Sequence, residues 1–514
     1  MQAHNRIGVI DIGSNSVHLV VAIYHEADGY FSVIDDAKVN VRLGEGMTRT
    51  GKLDPERMDV GVDTMKIYRR MIDAYELEQV IATATAAVRK AKNGDDFVRR
   101  VKEEADIDIN VIPGEQEAMY DYLGVVNTID IQNALLMDIG GGSTELVLIQ
   151  NREKKAGVSL PFGAVDLAEK FNLTDKPKKS DLEKLRVFLE GAFSQYPMLA
   201  EAKGYPVIGV GGTIRNMGRI HRRMIDYPLE IAQNYRMSRK DVKTVCEKTA
   251  AMDYQERKNI KGLSKARADI FVGASQAVLE IMGAIDSDQL IISKAGLRDG
   301  MLYESIGYGE GELVPQVFEY SLINAARQLD VNCIHAYQIY RISRKLFNEL
   351  KPIHGLTLSR TLDKSLRTAA MLHDSGIKIQ YSNHQLHSFY LILNAGINGL
   401  THEEMLIAAF TALNHRTGKK VQVDAEYAKM LTKQDLNIID VFSAILQIAE
   451  YLDRDMDGIV RDVNCVISDD AVTLDVLSQE HSVFTDMILD ECGKKFNRVF
   501  KHTLNLENEI ITAD

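Results

Sequence analysis

The sequence predicts an α/β protein with two successive α/β domains facing a shared cleft, then an all-α domain and a small C-terminal α+β segment. Two strand–turn–strand segments in the first half of the chain carry this prediction, because each places Asp-Ile-Gly between apolar runs. They read Asp11-Ile-Gly-Ser-Asn-Ser16 and Asp138-Ile-Gly-Gly-Gly-Ser-Thr-Glu145. The pattern from Gln316 onward is almost wholly helical. The repeated hairpin indicates a duplicated fold that holds phosphate between its halves.

Residues 1–125 are predicted to form the first α/β domain. Strands are expected at 7–10, 17–24, 31–34, 80–82 and 106–112, with a helix near 55–77. Arg89 follows the fourth strand at a helix start, where its planar guanidinium could face phosphate or solvent. Pro113-Gly114 marks a turn, and a helix then runs through residue 126. Glu115 and Glu117 lie in the first turn of that helix, where acids oppose the helix dipole favourably.

Residues 126–305 are predicted to form the second α/β domain. Strands are expected at 156–160, 206–210 and 289–293, and a helix at 180–193 with Ser180 and Glu183 as its capping box. Ile214 occupies the last glycine position of a GxGxxG pattern, so the loop Gly209-Val-Gly-Gly-Thr213 is not a dinucleotide fingerprint. No GxxxxGK[ST] motif occurs, which excludes a P-loop protein.

The glycine turn after Asp138 has the chemistry of a phosphate site. Consecutive glycines let a bulky anion approach the backbone, and their N–H groups can converge on its oxygens. Asp138 and Glu145 flank this turn, and carboxylates beside phosphate usually mean that a divalent cation sits between them. One such turn alone would equally suit a plain polar hairpin.

Composition narrows the classes of partner. The net charge of −12 argues against nucleic-acid binding, so a polyanionic substrate needs a local basic track. No apolar run is long enough for a membrane span, and no basic-apolar leader precedes the first strand, which predicts a cytoplasmic protein. The four cysteines form no CxxC pair, so reduced thiols are expected. Three clusters offer basic tracks, although each would also suit a solvated helix face: Arg215, Arg219, Arg222 and Arg223; Arg257, Lys258, Lys261, Lys265 and Arg267; Lys494, Lys495 and Arg498.

Six motifs in order resemble the exopolyphosphatase/guanosine pentaphosphatase (Ppx/GppA) phosphatase family of the actin-like ATPase superfamily. Besides the two hairpins, they are Thr83-Ala-Thr-Ala-Ala-Val-Arg89, Gly114-Glu-Gln-Glu117-Ala118, Gly209-Val-Gly-Gly-Thr213 and Gly296-Leu-Arg-Asp-Gly300. The resemblance covers roughly the first 305 residues and is greatest to an exopolyphosphatase. It implies two actin-like, ribonuclease H-like domains with an interdomain cleft.

The resemblance also assigns roles to residues. Glu117 is implied as the general base, with Glu145, Asp138 and Arg89 completing the catalytic set. Mg²⁺ is expected on Asp138, Glu145 and Asp11, with K⁺ as a candidate second cation. The expected phosphate-binding residues are Gly13, Ser14, Asn15, Ser16, Gly140, Gly141, Gly142, Ser143, Gly211, Gly212, Thr213 and Arg267.

The C-terminal part resembles the HD superfamily of metal proteins. A glycine- and acid-rich linker at 303–315 precedes an HD-like domain at 316–465 and an α+β segment at 466–514, with strands expected at 469–477 and 496–505. Carried over by position, the ligands of a second divalent metal would be His335, His373, Asp374 and Asp453. The alternative is a degenerate centre that binds polyphosphate or mediates dimerisation.

The leading function is an exopolyphosphatase that releases terminal phosphate processively from inorganic polyphosphate, by in-line attack of a water activated by Glu117 with Mg²⁺. Guanosine pentaphosphate is the alternative substrate, and guanosine penta- or tetraphosphate could also inhibit. Other open alternatives are an HD-type metal phosphohydrolase, a non-enzymatic polyphosphate or alarmone sensor, and phosphotransfer to ADP. A homodimer is expected, since a long basic track could cross two chains.

Overall fold

The structure is a computed structural model that describes residues 5–417 and 423–510. The chain divides into two compact units, Met1–Pro315 and Gln316–Asp514. Within the described ranges, every helix is too short or too polar to cross a membrane.

The first unit contains two sheets built on one plan. In the first sheet, an antiparallel meander supplies three strands, and two further strands extend the sheet in parallel, giving the order β3-β2-β1-β4-β5. Its strands are β1 (Asn5–Ile12), β2 (Val17–His25), β3 (Tyr30–Val39), β4 (Gln79–Ala84) and β5 (Ile109–Val111). Its helices are α1 (Met47–Thr50), α2 (Pro55–Ala74), α3 (Ala86–Lys90), α4 (Gly94–Ala105) and α5 (Gly114–Val126).

The second sheet repeats this plan with one added edge strand, in the order β10-β11-β9-β6-β7-β8. Its strands are β6 (Ala134–Ile139), β7 (Thr144–Gln150), β8 (Glu153–Leu160), β9 (Val207–Val210), β10 (Tyr235–Ser238) and β11 (Gln289–Ile292). Its helices are α6 (Ala164–Lys170), α7 (Lys179–Phe193), α8 (Met198–Glu201), α9 (Gly211–Met224), α10 (Arg239–Ala250), α11 (Tyr254–Lys258), α12 (Phe271–Ala284) and α13 (Leu297–Ser305), with a 3₁₀ turn at Lys265–Arg267. The shared plan confirms the duplicated α/β fold expected from the repeated hairpin.

Helices α5 and α13 join the two lobes of this unit through a common core. That core combines residues of both sheets, such as Val9 and Leu136, with Leu123 of α5 and Met301 of α13. The two helices pack closely because a side chain at Gly300 would collide with the Tyr120 carbonyl. The first turn of α5 is thereby held at the junction of the lobes.

The second unit is helical with a small sheet at its C-terminal end. Its helices are α14 (Val317–Gln328), α15 (Cys333–Glu349), α16 (Lys351–His354), α17 (Arg360–Leu372), α18 (His384–Asn394), α19 (His402–Asn414), α20 (Lys433–Leu452), α21 (Val483–Asp486) and α22 (Ile488–Phe500), with 3₁₀ turns at Ser375–Lys378 and Tyr427–Lys429. The sheet, in the order β12-β13-β14, contains β12 (Val460–Ile467), β13 (Ala471–Ser478) and β14 (Thr503–Ile510).

Three local predictions were wrong. Ser180 is not an N-cap, because the helix already begins at Lys179 and its cap position, Lys178, makes no side-chain cap bond. The strand expected at 106–112 is confined to Ile109–Val111, since Asp106 ends α4 in the left-handed region at φ 49°. Residues 496–500 are helical rather than extended, and the rings of Phe496 and Phe500 pack at 4.5 Å with the i, i+4 spacing of a helix.

Candidate active site

The two hairpins have equivalent backbone geometry. Asp11 of β1 pairs with His18 of β2, and Asp138 of β6 pairs with Glu145 of β7. Each turn is closed by one bond across four residues, from Gly13 N–H to the Ser16 carbonyl at 3.1 Å and from Gly140 N–H to the Ser143 carbonyl at 3.0 Å. The hairpins therefore present the same backbone to the cleft with different side chains.

The two turns touch each other. A Cβ at Gly141 would lie 2.7 Å from the Ser14 Cβ and 3.7 Å from the Asn15 nitrogen, so only glycine permits this approach. Lys90 of the first lobe donates to the Gly142 carbonyl of the second. The lobes thus enclose one cleft between their glycine turns.

This cleft has a volume of about 120 Å³. Thirteen of the predicted residues line it: Asp11, Gly13, Ser14, Asn15, Ser16, Glu117, Asp138, Gly140, Gly141, Ser143, Gly211, Gly212 and Arg267. The lining also includes His18 and Lys294, which the sequence did not single out. It further includes Arg215, which was named only within a basic cluster, and Arg298 and Asp299, which lie in the Gly296–Gly300 motif without an assigned role.

Four predicted residues lie outside this lining. Arg89 donates to the Ile112 carbonyl at 2.7 Å and to Oε2 of Glu117 at 3.1 Å, so its guanidinium holds the predicted base. Thr213 is buried and accepts a long bond from Arg267 at 3.5 Å. Glu145 is buried and accepts from the Ser159 hydroxyl at 2.7 Å. The Gly142 carbonyl accepts a hydrogen bond from Lys90.

Glu117 is poised to titrate near neutral pH. It is 8% exposed in the first turn of α5. Burial raises the pKa of Glu117 to about 7, against the lowering influence of Arg89 and with a smaller raising influence of Asp138 and Asp11. A carboxyl group with this pKa can accept a proton at physiological pH.

Three further carboxyl groups are buried beside the cleft without enough hydrogen bonds. Within the described ranges, Oε2 of Glu145 has no hydrogen-bond partner, and Oδ1 of Asp138 and the two oxygens of Asp121 find none beyond each other's carboxyl groups. Burial raises the pKa of Asp138 to about 6. Burial also raises the pKa values of Glu145 and Asp121 well above their ordinary range, and the negative charges of neighbouring acids add to both increases. Asp121 was missed from the sequence, although it lies one helical turn after Glu117 on α5.

This donor set fits a hard divalent cation. Carboxylate oxygens are the ligands that Mg²⁺ and Ca²⁺ prefer, and the unpaired oxygens supply a place for one. Burial also raises the pKa of Asp11. A bound cation would favour the charged forms of these acids and satisfy their unpaired oxygens.

Basic side chains also line the cleft. The Arg267 guanidinium lies against Gly212, where any Cβ would collide with it. Burial and the neighbouring charge of Arg215 lower the pKa of Arg267 to about 10. Burial and the charge of Arg298 lower the pKa of His18 to about 2, so this histidine is neutral. Crowded cations at a cleft wall create a site for an anion.

Comparison with known proteins identifies the family. A family model described as the Ppx/GppA phosphatase family matches residues 3–308, more than half of the chain. The chain belongs to the Ppx/GppA phosphatase family. A second model, Ppx/GppA phosphatase domain III, matches residues 317–492.

Relatives of this Ppx/GppA chain carry two names. A guanosine-5'-triphosphate,3'-diphosphate pyrophosphatase of Vibrio vulnificus is 27% identical over 414 residues, covering 80% of each chain. An exopolyphosphatase structure from Cytophaga hutchinsonii is 28% identical with a TM-score of 0.55, covering 59% of this chain and 97% of that one. A Ppx/GppA family member from Aquifex aeolicus is 30% identical with a TM-score of 0.51, covering 59% and 98%. The relatives therefore support the family and the fold without selecting one substrate.

The second unit of this Ppx/GppA protein brings three of its four predicted metal ligands together. Ligand atoms of His335, His373 and Asp374 all lie within 4.8 Å of one another. Asp453 lies next to this group, where its Oδ2 is 2.7 Å from Nδ1 of His335 and its Oδ1 accepts from Gly458 N–H at 3.1 Å. His384 and His415, which the motif comparison did not assign, join Asp374 in a second such group.

Proposed function

We propose that this protein hydrolyses the terminal phosphoanhydride bond of inorganic polyphosphate. The observation that carries the proposal is the position of Glu117, a buried carboxyl group with a pKa of about 7 at the wall of a cleft between two glycine turns. The lining also supplies acidic groups that could hold a cation and basic groups that could hold an anion.

The terminal phosphoryl group would bind between the two turns. Ser14 and Gly141 line the cleft, so their backbone N–H groups are candidate donors, and no described residue accepts from Nδ2 of Asn15, a buried donor. Arg267 and Arg215 add positive charge. Phosphoryl transfer needs mainly such positioning and charge stabilisation.

Glu117 would act on the attacking water. Arg89 engages Oε2, which leaves Oε1 to accept the proton as the water oxygen bonds to the terminal phosphorus. The bridging P–O bond breaks in line, releasing orthophosphate and a chain shorter by one phosphate. Mg²⁺ held by Asp138, Glu145, Asp121 and Asp11 would supply charge neutralisation at the phosphate oxygens.

Substitution of Glu117 tests the base. Glu117→Gln is expected to lower kcat roughly 10²- to 10⁴-fold with little change in KM, because the amide keeps the shape but accepts no proton. Phosphate release from long-chain polyphosphate measures this. Glu115→Gln is the matched control: it removes an exposed acid from the same helical turn and should retain activity. Wild-type turnover in Glu117→Gln would remove Glu117 from the role.

Guanosine pentaphosphate is the second candidate substrate, favoured by the name of the Vibrio vulnificus relative. Polyphosphate is preferred here because the described residues lining the cleft include neither Phe nor Tyr on which guanine could stack. The kcat/KM values for both substrates should be compared across ionic strengths. Several phosphate contacts along one chain predict a steep loss of polyphosphate affinity with salt. A shallow salt dependence together with faster pentaphosphate cleavage would select the second candidate.

A further inference from the structure

Arg42 connects the two lobes of the first unit through its side chain. Its Nη2 donates to Oδ2 of Asp269 at 2.8 Å and to the Ala266 carbonyl at 3.2 Å. Arg42 belongs to the first lobe, whereas both acceptors belong to the second. They lie on either side of Arg267, the basic residue that lines the cleft. Arg42 therefore holds residues 265–269, here called the arginine segment, from the opposite lobe.

The backbone of Arg42 holds the first glycine turn. Its N–H donates to the Asn15 carbonyl at 3.0 Å, and Gly44 N–H donates to the Ser14 carbonyl at 2.8 Å. Arg42 has φ 59°, a left-handed conformation that residues with a Cβ rarely adopt and that surrounding contacts must maintain. One residue thus bonds both to the first turn and to the arginine segment.

The arginine segment is also anchored within its own lobe. Arg257 is fully buried, and its Nε donates to the Ala268 carbonyl at 2.8 Å. Its other guanidinium nitrogens donate to the backbone carbonyls of Leu173, Thr174, Asp175 and Met252. These acceptors all lie in the second lobe, so Arg257 cannot fix the distance between the arginine segment and the first turn. The contacts of Arg42 can, because they cross between the lobes.

The strength and place of these contacts suit a supporting role. The side chains of Arg42 and Asp269 are 28% and 23% exposed, so water screens their ion pair only in part. A hydrogen bond between two charged groups is also stronger than one between neutral groups. Arg42 is not part of the cleft lining. Arg267, by contrast, lines the cleft and makes a long bond of 3.5 Å to Thr213, so the position of its guanidinium depends on its backbone.

We propose that Arg42 is a positioning residue that fixes Arg267 relative to the first glycine turn. The N–H donors of that turn and the Arg267 guanidinium then lie at a set separation and engage the same polyphosphate chain together. Loss of the Arg42 side chain leaves the turn held by its backbone bonds but releases the arginine segment. This inference rests on the polyphosphate hydrolysis proposed above and adds a residue outside the cleft to its binding machinery.

Amide hydrogen exchange on the full-length protein tests the anchor without relying on activity. Arg42→Met keeps the backbone bonds to the first turn and should speed exchange in the peptide that covers the arginine segment, because local opening becomes easier. Arg42→Lys should restore the wild-type rate, since one nitrogen, Nη2, makes both contacts and an ammonium can replace it. Arg69→Met is the control, because its ion pair with Asp73 lies within α2. Equal exchange in the wild type and Arg42→Met would overturn the proposal.

Affinity for long-chain polyphosphate tests the consequence for binding. It is measured in proteins that carry Glu117→Gln, so that the chain is not cleaved during the measurement. Arg42→Met should weaken binding roughly 10-fold, the scale of one hydrogen bond to a charged group. In a protein that also carries Arg267→Met, Arg42→Met should have no further effect. Additive losses would show that Arg42 acts independently of Arg267 and would overturn the proposal.

Asp269→Asn separates anchoring from direct contact with phosphate. If Arg42 bound phosphate itself, removal of this acid would free its guanidinium and strengthen polyphosphate binding. If Arg42 anchors the arginine segment, Asp269→Asn should weaken binding and speed exchange, as Arg42→Met does. Stronger or unchanged binding would overturn the proposal. A wild type that neither binds nor cleaves polyphosphate would refute the proposed function, whereas the exchange rates would still decide whether Arg42 anchors the segment.

Discussion

The charge state of Glu117 depends on the guanidinium beside it. Burial raises the pKa of this carboxyl group, and the contact with Arg89 partly offsets the increase. Arg89 was predicted from the sequence to face the phosphate cleft or solvent, but the structure places it against Glu117 and the Ile112 carbonyl. We therefore propose that Arg89 acts on the site through its contact with Glu117 rather than by binding phosphate.

The pH dependence of activity should report this contact. A general base must be deprotonated, so kcat/KM is expected to rise with pH through the pKa of Glu117, which is about 7. Because Arg89 lowers that pKa, Arg89→Ala should move the rising limb to higher pH, and Arg89→Lys should move it less. Phosphate release at saturating Mg²⁺ between about pH 5.5 and 9 measures the shift. Coincident limbs in all three proteins would contradict a link between Arg89 and the base.

Asp121 is a buried acid of α5 that the sequence motifs did not predict. The family resemblance selected Glu117 from a helix start with two glutamates, and nothing in that motif marked Asp121. The signal was its i, i+4 position relative to Glu117, which places both carboxyl groups on one face of α5. Helical spacing alone does not tell a catalytic face from a buried one.

Among the secondary-structure elements, the two hairpins have equivalent backbone geometry but carry different side chains. His18 occupies the position in the first lobe that Glu145 occupies in the second. The neutral imidazole adds no negative charge, so the first lobe contributes one hairpin acid, Asp11, while the second contributes Asp138 and Glu145. A cation bound in this cleft would therefore be held mainly by the second lobe.

The contact between the hairpins should be sensitive to one methyl group. Gly141→Ala places a Cβ 2.7 Å from that of Ser14, so the turns must separate and phosphate N–H donors move with them. We expect a loss of roughly 10-fold or more in kcat/KM, as small displacements of positioning groups are costly. Gly191→Ala is the control, because Gly191 lies in α7 with open space around it. Equal activity of both variants would show that the turns need not approach.

Strands and helices were predicted correctly where the hydrophobic period and the glycine turns indicated the same element. They were predicted wrongly where the element depends on contacts with distant parts of the chain. Both hairpins were predicted because apolar runs flank an unambiguous turn. Strand β12 lay unrecognised at the end of a helical pattern, and it forms because β13 provides an antiparallel partner. Pairing with a distant strand leaves little trace in a local sequence window.

At the scale of the whole molecule, buried acids should couple stability to pH and Mg²⁺. Glu117 and Asp138 have folded-state pKa values of about 7 and 6, above their ordinary values of 4.5 and 3.8. Between these values the native state binds more protons than the unfolded state, so the free energy of unfolding falls as pH rises. Mg²⁺ bound to the deprotonated acids of the native state, as proposed above, would offset this loss.

Thermal unfolding measures this coupling. In a chelator, Tm should fall as the pH rises from about 4 to 7, and Mg²⁺ should raise Tm more at pH 8 than at pH 5. A Mg²⁺ concentration about 100 times Kd would contribute about 2.7 kcal/mol. Asp138→Asn should reduce the response to Mg²⁺, whereas the exposed control Glu115→Gln should not. A Mg²⁺ response independent of pH would contradict the placement of the cation among these acids.

The duplicated α/β fold, the family and the residues of the two glycine turns could be predicted from the sequence, because hydrophobic period and turn chemistry depend on adjacent residues. Packing between distant elements placed Arg89 against Glu117, brought Asp121 among the buried acids, and grouped His384 and His415 with Asp374. These contacts join residues that are distant in sequence or selected by helix orientation. Their geometry is set by how the packed elements bury a common core, which no local pattern encodes.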